Sequence, residues 1–170
     1  GVEYDEVDKD LRFIFKVVNL SGIYGVGAVK MHSILTQGGV DKDINEVKNI
    51  VYAYRNANPD LVRAWGDAGD MLMAVKAGHK YSMGANNIIQ SAPKEGMLKP
   101  NGMILGLPNL RKIATEDGRE SWVYDKKLGR NIIQEYIHPA KVFQRCIQSL
   151  ARDIIGDQLL SVVIRTTALT

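Results

Sequence analysis

A chain of 170 residues fits one domain, or two small lobes sharing a core. Apolar residues make up 45% and charged residues 24%, as in ordinary globular proteins. No apolar run reaches the ~18 residues that a membrane span needs. The acidic opening, Gly1 to Lys9, lacks the basic-then-apolar pattern of a signal peptide. The lone cysteine, Cys146, excludes an internal disulfide and suits a reducing cytoplasm. The net charge of +3 is small, but it is unevenly spread: residues 1–90 hold 10 Lys/Arg against 11 Asp/Glu, and residues 91–170 hold 12 against 8. The second half can therefore face phosphates, although a solvated surface accounts for four extra charges equally well.

In chain order, apolar residues at intervals of three and four (Leu11, Ile14, Phe15, Val18) predict a helix from Glu6 to about Ser21. The segment Gly22-Ile-Tyr-Gly-Val-Gly27 breaks or kinks it, since three glycines in six residues weaken any helix. A second helix is expected over Ala28 to Leu35, ending at Gly38-Gly39. A third follows Asp43, with Ile44, Val47, Ile50, Val51 and Tyr54 at helical spacing. Asn58-Pro59 interrupts it, and Pro59 opens a fourth helix running to Gly78. Residues 80–101, with Gly84, Pro93, Gly96 and Pro100, read as an irregular connection. Strands are expected at Gly102 to Leu107, Leu110 to Thr115, Ser121 to Tyr124 and Asn131 to Ile137, with a hairpin turn at Glu116-Asp-Gly118. Pro139 begins a long helix, and the β-branched tail Leu159 to Leu169 reads as a buried strand. The expected class is α+β, an all-helical first lobe followed by a mixed second one.

The most informative feature lies on the first predicted helix, where Arg12, Lys16, Leu20 and Tyr24 stand four apart. Each such step advances about 40° round the axis and ~6 Å along it, so the four form one stripe about 18 Å long. Two cations occupy one end; an apolar side chain and a phenol occupy the other. A nucleoside triphosphate has that same polarity. Arg supplies a fork of donors to phosphate oxygens and Lys a compact charge. Leu20 and Tyr24 can lie against sugar and base. Taken in pairs these residues fit an ordinary helix better, Arg and Lys on a solvated face and Leu and Tyr at the edge of a core. The full pattern Arg-x3-Lys-x7-Tyr-Gly is rarer, with a chance match in such a chain on the order of one in a thousand.

The pattern resembles motif B of family A DNA polymerases, Arg-x3-Lys-x3-aromatic-x3-Tyr-Gly, which reads here as Arg12, Lys16, Leu20, Tyr24, Gly25. The resemblance implies that Arg12 and Lys16 hold the incoming dNTP, with Lys16 also giving a proton to the pyrophosphate leaving group. It implies that Tyr24 guards the template-base site and that Gly25 allows the close turn after it. Leu20 departs from the aromatic residue of cellular members, while Leu20-Ser-Gly-Ile-Tyr-Gly-Val-Gly27 is similar to the Leu-Gly-Leu-Gly-Tyr-Gly-Met-Gly of many bacteriophage members. Tyr54-Arg-Asn-Ala-Asn-Pro59 followed by Trp65 resembles a phage segment between the fingers helices. Leu107-Pro-Asn-Leu-Arg-Lys112 is similar to a Leu-Pro-Ser-Gly-Arg element. Lys141 to Asp153 is similar to Lys-Val-x-Glu-Asn-x2-Gln-x2-Ala-Arg-Asp, with Gln148 matching and Gln144 and Arg145 in place of Glu and Asn.

The resemblance implies fingers helices over 1–80, a connection over 81–101 and a partial palm over 102–170, with a short antiparallel sheet and a long helix. Its implied partners are dNTPs, primer-template DNA and the remaining segments of a polymerase, with no membrane, in the host cytoplasm. DNA contact falls to Arg111, Lys112, Lys141, Gln144, Arg145 and Gln148. The Mg2+ of the complete enzyme needs two aspartates, one expected before Gly1 and one after the Leu159–Thr170 tail. The fragment alone is therefore expected to be inactive. Asp67, Asp70 and Asp153 read as isolated surface or capping groups, and His32, His79 and His138 lack metal-ligand spacing.

A rival reading is a non-catalytic nucleic-acid-binding module. Arg111, Lys112, Lys126, Lys127, Arg130 and Lys141 would track phosphates, and Trp122 and Tyr124 would stack on bases. A glycine-loop nucleotide site at Gly22-x2-Gly25-x-Gly27 is set aside, because the glycines follow a helix and Lys30 is followed by Met31.

Overall fold

The computed structural model describes residues 8–167. It is α+β, with five helices and two small antiparallel sheets among the described residues. The chain divides into two compact units, Gly1–Arg63 and Ala64–Thr170.

The first unit is helical. α1 (Lys9–Gly22) starts where the Asp8 carboxylate accepts the Asp10 backbone N–H, at 3.1 Å. α2 is Ala28–Gln37. α3 (Ile44–Ala57) begins in a capping box, Asp43 accepting from Asn45 and Glu46 reaching back to the Asp43 N–H. Ile14, Val17 and Val18 of α1, Met31 and Leu35 of α2, and Val47 and Val51 of α3 form one buried cluster. Ile14, Val18, Val47 and Val51 are among the positions that periodicity marks as apolar, but Leu11 and Phe15, marked with them, are exposed, and Val17 is buried in their place. The expected start of α1 at Glu6 lies outside the described residues.

α4 spans Pro59–Ala77, and its buried Ala68, Met71, Leu72 and Val75 form the floor of the second unit's core. The expectation of irregular structure over 80–101 is corrected. Ser82–Met83 (β1), Ile89–Ala92 (β2), Gly96–Leu98 (β3) and Ile104–Gly106 (β4) make a four-stranded antiparallel meander. These strands are two to four residues long, too short for alternation to declare itself. Gly84, Pro93, Pro100 and Gly102 lie between the strands, whereas Gly96 and Gly106 are paired strand residues. The second sheet pairs Arg111–Ala114 (β5), Glu120–Leu128 (β6) and Asn131–Ile137 (β7) in that order. β6 runs four residues beyond the expected Ser121 to Tyr124. A two-residue turn, Gly129-Arg130, pins seven residue pairs from Trp122↔Ile137 to Leu128↔Asn131.

α5 is one helix from Pro139 to Thr167. The expected strand at Leu159 to Leu169 is therefore corrected as far as Thr167; residues 168–170 lie outside the described residues. The β-branched run Val162-Val-Ile164 favours a strand by propensity. A helix already propagating, with no breaker after Gly156, satisfies its own backbone without a pairing partner. Leu159, Leu160 and Val162 to Ile164 are all exposed. No helix among the described residues is long and apolar enough to cross a membrane.

Candidate nucleotide and nucleic-acid interface

On α1 the buried residues fix which side faces solvent. Ile14, Val17 and Val18 centre the buried arc, and Arg12, Lys16 and Leu20 fall about 110° to 190° away from it. Lys16 is exposed and Leu20 is 62% exposed. Among the described residues no carboxylate pairs with Lys16. The ridge is thus a row of cation, cation and apolar side chain on the outer face.

Tyr24 does not continue the helix, as the stripe required. The α-helix ends at Gly22, Ile23 keeps right-handed angles, and Tyr24 lies in a tightened turn. Gly25 takes φ 71°; its N–H bonds the Gly22 carbonyl at 2.8 Å, and the Val26 N–H reaches the Ser21 carbonyl at 3.4 Å. That is the Schellman pattern, in which the residue after the cap must be left-handed and glycine pays no Cβ penalty. Val26 then packs on the core cluster. Tyr24 remains 41% exposed, one turn beyond Leu20.

Two residues outside the ridge brace this turn. The Tyr54 ring lies against Gly22 so closely that a Cβ there would sit 2.6 Å from it. The Arg55 guanidinium donates to the Val26 carbonyl at 3.3 Å. Gly22 is therefore helical, and its small size serves close approach rather than breaking the helix. The sequence held a signal for this brace, since Tyr54-Arg55 belongs to the second matching segment. Only packing shows that it supports the Tyr24-Gly25 turn.

In the second unit, Lys141, Gln144, Arg145 and Gln148 stand at i, i+3, i+4 and i+7 on α5 and share one face. They line a groove of about 480 Å3 with Gly106, Pro108, Tyr124, Asp125, Lys126, Lys127 and Glu135. His138 starts the helix, its Nδ1 accepting the Lys141 N–H at 3.4 Å; burial, then the Lys141 charge, lowers its proton affinity. Glu135 accepts from Lys126 and Lys141, both at 2.7 Å. Those two ammonium groups hold its carboxyl at about 2. The Arg145 guanidinium lies 5.2 Å from the centre of the buried Tyr124 ring.

Arg111 and Lys112 do not line this groove. Arg111 donates to Asp125 at 2.8 Å, to Gln134 at 2.9 Å and to the Asn109 carbonyl at 2.8 Å. Asn109, left-handed at φ 54°, also donates to Asp125, so the Leu107–Lys112 element folds into a clamp on β6. Asp125 is lowered by the Asn109 amide first, then by Arg111. Lys112 bonds Glu120 at 2.9 Å and sits over the Trp122 ring with Lys76. Tyr124, covered by Arg145 and 4% exposed, offers no open face for a base.

Asp153 is not an isolated surface group. Both its oxygens accept from Lys99 Nζ, at 2.9 and 2.8 Å, and the Lys99 side chain is 4% exposed. Among the described residues no three His, Cys, Asp or Glu side chains converge as a metal site requires.

Searches against protein-family models, curated proteins and solved structures return no match for this chain.

Proposed function

We propose that this chain is the fingers-and-palm portion of a bacteriophage-type family A DNA polymerase, which binds the incoming dNTP and the primer-template for template-directed nucleotidyl transfer. What supports the reading most is the α5 groove. Four residues named from the motif resemblance, Lys141, Gln144, Arg145 and Gln148, share one cation-rich cavity. The α1 ridge adds a second support, with Arg12, Lys16 and Leu20 on the solvent side and Tyr24-Gly25 in a braced turn.

In this function Arg12 and Lys16 grip the triphosphate. Their charge stabilises the negative charge that builds on the leaving pyrophosphate, and the Lys16 ammonium passes it a proton. Leu20 and Tyr24 bound the space for sugar and base. The groove residues hold the primer-template. Mg2+ would supply activation of the primer hydroxyl, held by aspartates that the described residues do not include.

The test is Lys16→Ala in primer extension, with the chain joined to or complemented by the aspartate-bearing segments. Extension should fall by about 10²- to 10⁴-fold while primer-template affinity holds, the range for loss of a general acid. Unchanged extension would remove the motif B assignment and leave a non-catalytic nucleic-acid-binding module, built on the groove, as the better account.

A further inference from the structure

One guanidinium nitrogen in the groove is left over. Arg145 Nη1 is buried and meets no acceptor among the described residues. A buried charged donor without a partner is costly, and an incoming acceptor would remove that cost. The guanidinium carbon lies 5.2 Å from the centre of the Tyr124 ring, a cation–π contact that helps hold the side chain in the groove.

Charge pairing in the groove is also incomplete. Its cations are Lys126, Lys127, Lys141 and Arg145, and its carboxylates are Asp125 and Glu135. Glu135 serves Lys126 and Lys141, and Asp125 serves Arg111, which does not line the groove. No carboxylate among the described residues pairs with Lys127 or Arg145. Lys126 holds its proton more tightly because of Glu135, while Arg145 pushes the other way, so these cations sense one another. Gln144 and Gln148 flank Arg145 with neutral amide donors.

We infer that Arg145 seats a backbone phosphate of a nucleic-acid strand, with Lys127 as a second phosphate contact and the two glutamines as flanking donors. An Arg fork matches two phosphate oxygens, and the groove leaves that fork an unfilled donor. The α5 row from Lys141 to Gln148 is about 10 Å long, too long for a single ion. Laid along a duplex axis, that length matches about three nucleotides of rise at ~3.4 Å each. This rests on the proposed reading for the choice of DNA as ligand. It makes the groove a backbone grip, independent of sequence, rather than a reader of base edges.

The experiment compares the 170-residue chain with Arg145→Gln and Lys127→Ala, titrated with short DNA duplexes of varied sequence over a salt series. A parallel titration uses a dNTP alone. Each variant should lose affinity several-fold and equally on every sequence. Each should also flatten the slope of log affinity against log salt by about one unit. Lys127 is exposed, so its variant tests the grip even if Arg145→Gln folds poorly. The inference is overturned by a loss confined to certain base pairs at unchanged salt slope, by weakening of dNTP binding alone, or by no change in either titration. Failure of the polymerase reading is separate. If Lys16→Ala leaves extension intact while the salt slopes fall, the phosphate seat stands without it. If extension collapses while the slopes hold, only the phosphate seat is lost.

Discussion

The α1 ridge and the α5 groove both present cations, yet they hold them differently. Lys16 stands on the outer face of α1, with no carboxylate partner among the described residues, and its position needs nothing beyond the helix repeat. Lys126, Lys141 and Arg145 are positioned by side chains from three elements: Glu135 on β7, Tyr124 on β6, and α5 itself. A ridge of the first kind can lose a side chain without consequence for folding. In a groove of the second kind, ligand binding and stability share the same atoms. Substitutions that separate the two test the comparison.

The largest expected effect lies further along α5. Lys99 ties the turn after β3 to Asp153 on α5, and the ion pair is nearly closed to solvent. Lys99→Met leaves Asp153 partly buried without its cation, which should cost about 3–5 kcal/mol of stability. The double change Lys99→Met with Asp153→Leu should recover most of the loss, because an apolar pair carries no desolvation penalty. Urea unfolding of the three proteins measures this. A single-variant cost near zero would mean that the pair does not anchor α5.

Next comes the turn that follows the ridge. Gly25 sits at φ 71° in the turn that closes α1. Gly25→Ala forces a Cβ into the left-handed region and should destabilise by about 1–2 kcal/mol, while Gly25→Asn should cost less. If Ala and Asn prove equally mild, the turn is not held as described, and the placing of Tyr24 loses its support.

How much of this was legible in the sequence follows the same division. The helices of the first unit were legible because Ile14 and Val18 in α1, and Val47, Ile50 and Val51 in α3, stand at helical spacing and belong to or pack on one core, although Leu11 and Phe15 at the same spacing face solvent. The meander was not, because strands such as Gly96–Leu98 are shorter than any period and their order is fixed by partners elsewhere in the chain. The α5 face was legible as i, i+3, i+4, i+7. Its neighbours were not, because Lys126 and Glu135 meet only once the Gly129-Arg130 turn sets the register that places Tyr124 opposite Glu135. The expected strand ended at Tyr124, and pairing with β7 carries it on through Asp125-Lys126-Lys127 to Leu128. Asp153 looked isolated because its partner lies 54 positions away. In the tail, propensity at Val162 to Ile164 yielded to a helix already under way.

A smaller effect separates pairing from packing within the groove. Glu135 is depressed from 4.5 to about 2 by Lys126 and Lys141, so its contribution is fully present above about pH 4.5 and is lost as pH falls through about 2. Its side chain is 21% exposed, and solvent screening limits that contribution to about 1 kcal/mol. Glu135→Gln should therefore be less stable than the parent by about that amount at neutral pH, and the gap should close towards pH 2. Urea midpoints over a pH series read it. A gap that persists at pH 2 would assign the loss to packing and would weaken the view that Glu135 neutralises the two lysines and leaves Arg145 for an outside anion.

The smallest expected effect is the sharpest check on the ridge. Lys16→Ala removes a solvent-facing ammonium opposite the core of α1 and replaces it with the best helix former. Its stability should stay within about 0.5 kcal/mol of the parent, as for surface changes away from any cap or ion pair. The unfolding curve is measured on the same preparation used for primer extension. A side chain that folding does not need, and whose loss still abolishes extension, acts on the ligand. A midpoint lowered by 1 kcal/mol or more would instead tie Lys16 to the fold, and any loss of extension could then no longer be assigned to the triphosphate.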